Sequence, residues 1–162
     1  MRPALHEASS QRTAALYGVE FAYRLETANT DGRAAVLEVT IPPRTLVKPH
    51  QHSKEDEFSL ILSGRVGARI GDTTYEEVAA GSSIVKPRDI PHAMWNVTDE
   101  PARILEIVMP AGLEEYFAEL APILRESGPE WTERFYQLAT RYGLTILDDW
   151  SNELKARYQI TL

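Results

Sequence analysis

A chain of 162 residues, 43% of them hydrophobic and 25% charged, can bury one core, but two independent domains of this total length would each be cramped. The formal net charge of −7 attracts a phosphate backbone only weakly and no Lys/Arg stripe offsets it, so we expect no nucleic-acid partner. The absence of cysteine excludes disulfides, iron–sulfur clusters and thiolate zinc sites, so a metal would be held by histidine and carboxylate side chains.

The first segment, residues 1–18, is polar, rich in Ala and Ser and weakly patterned, which indicates a loosely held arm or a strand at the edge of something larger. It has no apolar region typical of a signal peptide, and no stretch of the chain approaches the ~20 apolar residues that a bilayer span needs. The sequence therefore predicts a cytoplasmic location and no membrane association.

From Val19 to Pro110 the chain consists of short β-branched or aromatic runs separated by turn signals such as Asn29-Thr30-Asp31-Gly32. Nine short runs at this spacing are typical of an all-β, double-sheet jelly roll. The predicted strands are 19–26, 34–41, 45–49, 57–63, 65–70, 73–78, 82–86, 92–97 and 102–109.

The hydrophobic period changes to that of a helix after Pro110. A first helix is predicted from Leu113 to Leu124, and Pro122 should bend or end it. A second helix should begin at residues 127–129 and stop at Gly143. Its predicted apolar face consists of Trp131, Phe135, Leu138 and Tyr142.

These helices are expected to extend the barrel rather than to form a second unit. We expect residues 1–110 to form the barrel with its arm, and residues 111–162 to form a helical extension of the same domain. Aromatic residues at helical spacing usually pack a helix onto its neighbour, so we expect those of the extension to contact the outside of the barrel.

The first group of residues able to bind a metal lies between residues 50 and 61. Side chains alternate along a strand, so His50 and His52 project to the same side. After four further residues, Glu57 opens a strand that places Ser59 and Ile61 on its own face. The neighbouring acidic residues Glu55 and Asp56 are expected to be solvated loop charges.

The second group begins at His92, which shares one strand face with Met94 and Asn96. Three neutral imidazoles and one carboxylate suit a borderline divalent ion, namely Fe, Mn, Co, Ni, Cu or Zn, rather than Mg or Ca. Four protein ligands leave positions open when the ion prefers five or six. A substrate or oxygen could bind there.

The two groups resemble the two signature motifs of the cupin superfamily, with His-x-His, four residues and Glu in the first motif and Pro, four residues and His in the second. The resemblance implies a double-stranded β-helix barrel that binds one divalent transition metal per chain. It also implies that the motif glycines, proline and asparagine are framework positions. The implied ligands are His50, His52, Glu57 and His92, and the framework positions are Gly64, Gly81, Pro87 and Asn96.

Two positions depart from the motifs. Arg44 stands where a glycine is expected before the first histidine, and Asp89 replaces the glycine after Pro87. Asp accepts left-handed backbone better than most residues, so the second turn should keep its shape. The loop that contains Arg44 is expected to differ in shape, but neither departure removes a ligand.

The run from Ala34 to Gly112 resembles the small single-domain cupins of the quercetinase-like type. This resemblance implies a dioxygenase that acts on an aromatic or enol-type small molecule, with Glu57 serving as both ligand and catalytic base. Ser59, Ile61 and Met94 are predicted to line a mostly apolar substrate pocket beside the ion.

Two other functions use the same residues. In a redox-neutral isomerase, cyclase or decarboxylase of a keto acid or polyketide, the ion would act as a Lewis acid. In a non-catalytic cupin, the barrel would bind a small ligand without converting it. Dependence on oxygen and on a particular metal separates these hypotheses, because Zn supports Lewis-acid but not one-electron chemistry.

The alternate face of the strand that follows Glu57 carries Phe58, Leu60 and Leu62. Three large apolar side chains on an outer face need cover. The resemblance implies that a second copy of the chain provides it, so we predict a homodimer.

Overall fold

The computed structural model describes residues 4–7, 11–125 and 130–162. Its strands are β1 (Thr13–Leu16), β2 (Val19–Leu25), β3 (Ala35–Ile41), β4 (Thr45–His52), β5 (Asp56–Ser63), β6 (Arg65–Ile70), β7 (Thr73–Ala79), β8 (Ser83–Lys86), β9 (His92–Asn96), β10 (Ala102–Met109) and β11 (Leu144–Ile146). Its helices are α1 (Thr27–Thr30), α2 (Leu113–Ile123), α3 (Glu130–Arg141) and α4 (Asp148–Tyr158).

The strands form two antiparallel sheets. The six-stranded sheet has the order β1-β2-β3-β10-β5-β8, and the five-stranded sheet has the order β11-β4-β9-β6-β7. Inward-facing residues of both sheets, among them Leu37, Ile104, Val66 and Met94, belong to one buried core. The predicted all-β jelly roll with a C-terminal helical region is confirmed.

Alternation along the strands creates this core. In β3, Ala35, Leu37, Val39 and Ile41 are buried, whereas the residues between them are partly exposed. The neighbouring strand β10 follows the same pattern, except that a carboxylate, Glu106, occupies one of its inward positions. A buried charge in the inner wall of an apolar barrel needs a partner.

Each predicted strand corresponds to an observed one, but β4 is longer than predicted and β1 is an additional strand. Strand β4 continues past the predicted end at residue 49 because β11 pairs with its last part, with Leu144 opposite His52. The arm predicted for residues 1–18 contains β1, which lies at the edge of its sheet beside β2.

The two predicted helices are present as α2 and α3. Pro122 lies in the last turn of α2, and α3 ends shortly before Gly143, whose φ of 78° suits glycine. The predicted start signal of the second helix, residues 127–129, lies outside the described residues. None of the described helices is long and apolar enough to span a membrane.

Helix α4, which the sequence analysis did not predict, covers the outer face of the five-stranded sheet. Trp95 is fully buried there, and the ring of Tyr158 stacks on it at 4.8 Å between centroids. Leu154 belongs to the same apolar cluster. Gly67 leaves room for the Trp95 indole, because a Cβ at this position would lie 2.1 Å from the indole nitrogen.

Candidate metal centre

The candidate ligands meet where both sheets face the barrel interior. His50 and His92 are direct cross-strand neighbours on β4 and β9, and His52 lies two residues beyond His50 on the same strand face. Glu57 faces them from β5 of the other sheet. Their ligand atoms all lie within 4.8 Å of one another. This spacing is close to the separation of about 4.2 Å between opposite ligands of one ion with bonds of about 2.1 Å, so the four groups could hold one metal.

Hydrogen bonds outside the centre orient the imidazoles. Nδ1 of His50 lies 2.6 Å from the Lys48 carbonyl oxygen, and Nδ1 of His92 lies 3.1 Å from that of Ile90. When Nδ1–H donates outward, the lone pair of Nε2 points toward the centre, as in histidines that bind metals.

Two of the inward nitrogens have no hydrogen-bond partner in the described part of the chain. Nε2 of His52 and Nε2 of His92 are both buried, and each lies 3.4 Å from an oxygen of Glu57. Buried polar atoms nearly always have partners, so these two nitrogens indicate a site for a cation. An ion bound by the three imidazoles and Glu57 would satisfy them, and the donor set therefore fits a metal.

His50 and His92 favour the neutral form of the ring. Burial lowers the pKa of His92 and holds the pKa of His50 well below its ordinary value, and the neighbouring imidazoles lower that of His50 further. Only a deprotonated nitrogen can coordinate a metal. Metal binding by His50 and His92 therefore requires little proton release at neutral pH.

A pH dependence of stability follows for the metal-free protein. Below about pH 6.5 an unfolded histidine takes up a proton that folded His50 and His92 resist, so the free energy of unfolding should fall as pH falls from about 7 to 5. The slope is at most about 1.4 kcal/mol per pH unit for each histidine. Urea unfolding of chelator-treated protein measures it, and the H50N/H92N variant should have a flatter profile. Equal slopes would contradict the prediction.

Glu55 does not behave as the sequence predicted. The expectation of a solvated loop charge is wrong, because Glu55 is buried and one of its oxygens lies 3.6 Å from Nδ1 of His52. The fold turns its side chain against the Nδ1 side of the His52 ring, away from Glu57, and neither atom of this contact has a hydrogen-bond partner in the described part of the chain. Asp56 instead forms an ion pair with Arg88 at 2.7 Å on the more exposed side.

A buried charged network lies behind Glu57. Nζ of Lys86 is 2.7 Å from Oε2 of Glu57 and 2.8 Å from Oε1 of Glu106. The Ser59 hydroxyl lies 2.9 Å from the other oxygen of Glu106. Sequence reasoning missed Lys86 and Glu106, although both occupy inward positions of alternating strands, which is the signal that could have found them.

This network affects the charge of Glu57. Burial would raise the pKa of Glu57, but the Lys86 ammonium and the neighbouring imidazoles hold it well below its ordinary value. A lowered pKa suits the predicted role of Glu57 as a metal ligand, and its second predicted role, as the base, stays a prediction. Burial raises the pKa of Glu106, although the Lys86 ammonium beside it acts in the opposite direction.

The centre opens into a cavity of about 130 Å³. Met94 lines this cavity, as do Lys86 and Glu106. Ser59 and Ile61 are buried but are not among the lining residues, because Ser59 turns toward Glu106 and Ile61 packs in the core. Most of the wall is apolar, including Val19, Leu37, Val39, Ile41, Leu46 and Ile104.

Helices α2 and α3 cover part of the cavity, and we call this cover the roof. The expectation that their aromatic residues contact only the outside of the barrel is wrong, because Tyr116, Phe117 and Phe135 line the cavity. Phe117 stacks on Phe21 of β2 at 4.6 Å between ring centroids, which fixes α2 over the barrel. The helical extension therefore forms part of the cavity wall.

Both departures from the motif glycines keep a glycine-like backbone. Arg44 has a φ of 56° and Asp89 a φ of 61°, the left-handed region that glycine adopts freely. The Arg44 guanidinium forms an ion pair with Asp99 at 2.8 Å, on the exposed side of the loop. The loop before β4 thus accepts arginine in a left-handed conformation.

Comparison with known proteins agrees with this architecture. Residues 37–108 match the family model of the cupin domain. The H2HPP isomerase of Bacillus subtilis is 37% identical over 76 residues, which cover 47% of this chain and 32% of the isomerase. Germin-like protein 3-1 of Oryza sativa subsp. japonica is 34% identical over 86 residues, covering 50% of this chain and 38% of that protein. The matched part is thus about a third of each relative's length.

Solved structures share the fold at low sequence identity. KdgF from Halomonas sp. superimposes with a TM-score of 0.61 at 12% identity, covering 70% of this chain and 99% of KdgF. A protein from Thermotoga maritima described as a predicted oxalate decarboxylase superimposes with a TM-score of 0.59 at 19% identity, covering 66% of this chain and 99% of that one. These similarities establish the double-stranded β-helix, which hosts many activities.

Proposed function

We propose that this chain is a metal-dependent enzyme that converts a small anionic enol, or a keto acid that can form one, by redox-neutral proton transfer. The observation that carries the proposal is a mostly apolar cavity that joins three imidazoles and Glu57 to a second buried carboxylate, Glu106. The similarity to an isomerase supports the reaction class.

The size of the cavity limits the substrate. An apolar protein cavity of about 150 Å³ holds one benzene ring, and the cavity here measures about 130 Å³. The cavity is partly open, so one aromatic ring fits inside it with a short attached chain reaching outward, whereas the three rings of a flavonol exceed its volume. A single-ring substrate is therefore better supported than the flavonol suggested by the quercetinase-like resemblance.

Charge limits the substrate further. With neutral imidazoles, the two carboxylates that line the cavity, Glu57 and Glu106, the Lys86 ammonium and a divalent ion sum to one positive charge at the cavity wall. The third buried carboxylate, Glu55, lies on the Nδ1 side of His52, away from the cavity. A ligand that carries one negative charge, such as a carboxylate or an enolate, would therefore meet a positive charge in the cavity.

The side chains of the site have separate roles in the proposed reaction. His50, His52, His92 and Glu57 would hold the ion, which when bound supplies a Lewis acid that lowers the pKa of a coordinated hydroxyl. The apolar wall and the helical roof exclude water from the substrate. Glu106 would accept the proton that leaves carbon, since Glu57 and Glu106 are the two carboxylates that line the cavity in the described part of the chain.

Glu106→Gln should separate proton transfer from metal binding. The amide keeps the shape of the side chain but cannot accept the proton, so turnover should fall by about 10²-fold or more while bound metal is retained. Ser59→Ala, which keeps the carboxylate and removes one hydrogen bond to it, should reduce turnover far less. Elemental analysis and steady-state rates of both variants make the comparison. Full activity in the Gln variant would exclude Glu106 as the proton acceptor.

Deuterium exchange under argon tests the proposed reaction. Zn²⁺-loaded protein is incubated in D₂O with phenylpyruvate, a single-ring 2-oxo acid, and loss of the C3 proton signal is followed by NMR. We expect faster exchange than with the chelator-treated protein. No acceleration with phenylpyruvate or with other single-ring 2-oxo acids would contradict the proposal.

Oxygenation of an aromatic or enol-type substrate is the second candidate. The observation in its favour is the ligand set itself, since three histidines and one glutamate also suit Fe, Ni, Mn, Co and Cu and leave positions open. Oxygen uptake by the Fe²⁺-loaded protein with a single-ring enol, together with no exchange under argon, would favour this candidate.

We also propose that the chain is a homodimer through the outer face of the six-stranded sheet. Leu60, Leu62 and Val85 are 40%, 43% and 56% exposed on neighbouring strands, and Phe58 lies opposite Val85. The L60E/L62E variant should therefore run as a monomer in light scattering, because charges on this face oppose association. Tyr75→Glu, an exposed aromatic residue of β7, should leave the mass unchanged. A wild-type chain at monomer mass would contradict the proposal.

A further inference from the structure

We propose that Lys86 is a positioning residue that makes Glu57 a one-oxygen ligand. Its ammonium holds Oε2 of Glu57 and leaves Oε1 to the ion. The inference rests on the metal centre of the proposed function, and it concerns how that centre keeps positions open for substrate.

The positions of the two Glu57 oxygens show why the contact between Lys86 and Oε2 matters. Oε1 lies 3.4 Å from Nε2 of His52, and Oε2 lies 3.4 Å from Nε2 of His92. Both oxygens thus face the inward nitrogens, so the carboxylate could chelate an ion with both. Oε2, however, also lies 2.7 Å from Nζ of Lys86, within the range of a strong charge-assisted hydrogen bond.

Lys86 is itself held in place. Its side chain is 7% exposed, and its second carboxylate partner, Glu106, lies 2.8 Å away. Glu106 is fixed in turn by the Ser59 hydroxyl. An ammonium between two buried carboxylates has little freedom to leave either of them, because an unpaired buried charge is costly.

One-oxygen ligation has a functional consequence. Each oxygen that Glu57 withholds from the ion leaves a coordination position for the substrate. The proposed enolate chemistry needs at least one such position, and a carboxylate and an enol oxygen binding together would need two.

The first test uses the unaltered chain and Co²⁺ alone. A crystal structure of the Co²⁺-loaded protein should show Oε1 of Glu57 bound to the ion and Oε2 still bonded to Lys86. Two Glu57 oxygens on the ion would overturn the inference while leaving the metal centre intact. A chain that binds no Co²⁺ would overturn the centre itself and the inference with it.

The second test removes the ammonium. Lys86→Met keeps the apolar stem, and the visible spectrum of its Co²⁺ form should shift and lose intensity as Glu57 supplies a second oxygen and the coordination number rises. Lys155→Met is the matched control, because Lys155 lies in the last turn of α4 and does not line the cavity, and its Co²⁺ spectrum should match the wild type.

A second variant keeps the test possible if Lys86→Met fails to fold. Lys86→Met leaves two buried carboxylates without their cation, so the double variant K86M/E106M, which replaces the pair by apolar residues, is measured beside it. The double variant should show the same spectral shift. An unchanged spectrum in either folded variant overturns the inference.

Discussion

Replacing both His50 and His52 with alanine is expected to abolish transition-metal binding and the stabilisation that the metal provides. The change removes two of the four candidate ligands, which all lie within 4.8 Å of one another. At a metal concentration of about 100 times Kd, binding stabilises a protein by about 2.7 kcal/mol. For a chain of this length that corresponds to a rise in Tm of roughly 5–11 °C. Thermal unfolding with and without added metal measures the effect.

His6→Ala provides the matched control, because His6 is an exposed histidine outside the barrel. It should show the same metal-dependent rise in Tm as the wild type. A rise that persists in the H50A/H52A variant would place the metal elsewhere in the chain.

Deleting residues 111–162 is expected to abolish cooperative folding. The deletion removes β11, which pairs with the metal-binding end of β4, and α4, which buries Trp95. It also opens the cavity to water by removing the aromatic roof. Large apolar surfaces of both sheets would then be exposed at about 25 cal/mol per Å². Circular dichroism during heating should show no sharp transition.

A graded variant separates loss of packing from a general effect of shortening the chain. Leu154→Ala, at a position of α4 that is 2% exposed, should keep cooperative unfolding and cost about 2–5 kcal/mol. A 1–110 fragment that unfolds cooperatively would show that the helical extension is a separate unit, against the single domain predicted from the sequence.

The sequence alone predicts most of the barrel because its strands obey a local rule. Inward and outward residues alternate in β3 and β10, and this alternation needs no knowledge of partners. The same rule places His50 and His52 on one face. Their convergence with His92 and Glu57 could be predicted only through the resemblance to known motifs, since residues from three different strands must meet.

Other parts of the site depend on contacts between distant residues and could not be predicted this way. The Lys86–Glu106 pair joins β8 to β10, which are separated by β5 in their sheet. The pairing of β11 with β4 joins residues almost a hundred positions apart, such as Leu144 and His52. The roof also escaped prediction, because helical periodicity shows which face of α2 is apolar but not what that face covers.

The site contains more acid–base groups than metal binding requires, and this favours the proposed enzyme over a storage or sensing barrel. Lys86 and Glu106 occupy inward positions where apolar residues would pack at lower cost, since buried ion pairs are often replaceable by hydrophobic residues without loss of stability. Their presence beside Glu57 supports a catalytic role over a purely structural one.

Elemental analysis by mass spectrometry of wild-type protein purified without chelator tests the central claim most directly. We expect near-stoichiometric Fe, Ni, Mn, Co, Cu or Zn, because Nε2 of His52 and Nε2 of His92 otherwise have no partner in the described part of the chain. A protein that holds none of these metals, even after reloading with each of them, would contradict the account and indicate a metal-free binding barrel.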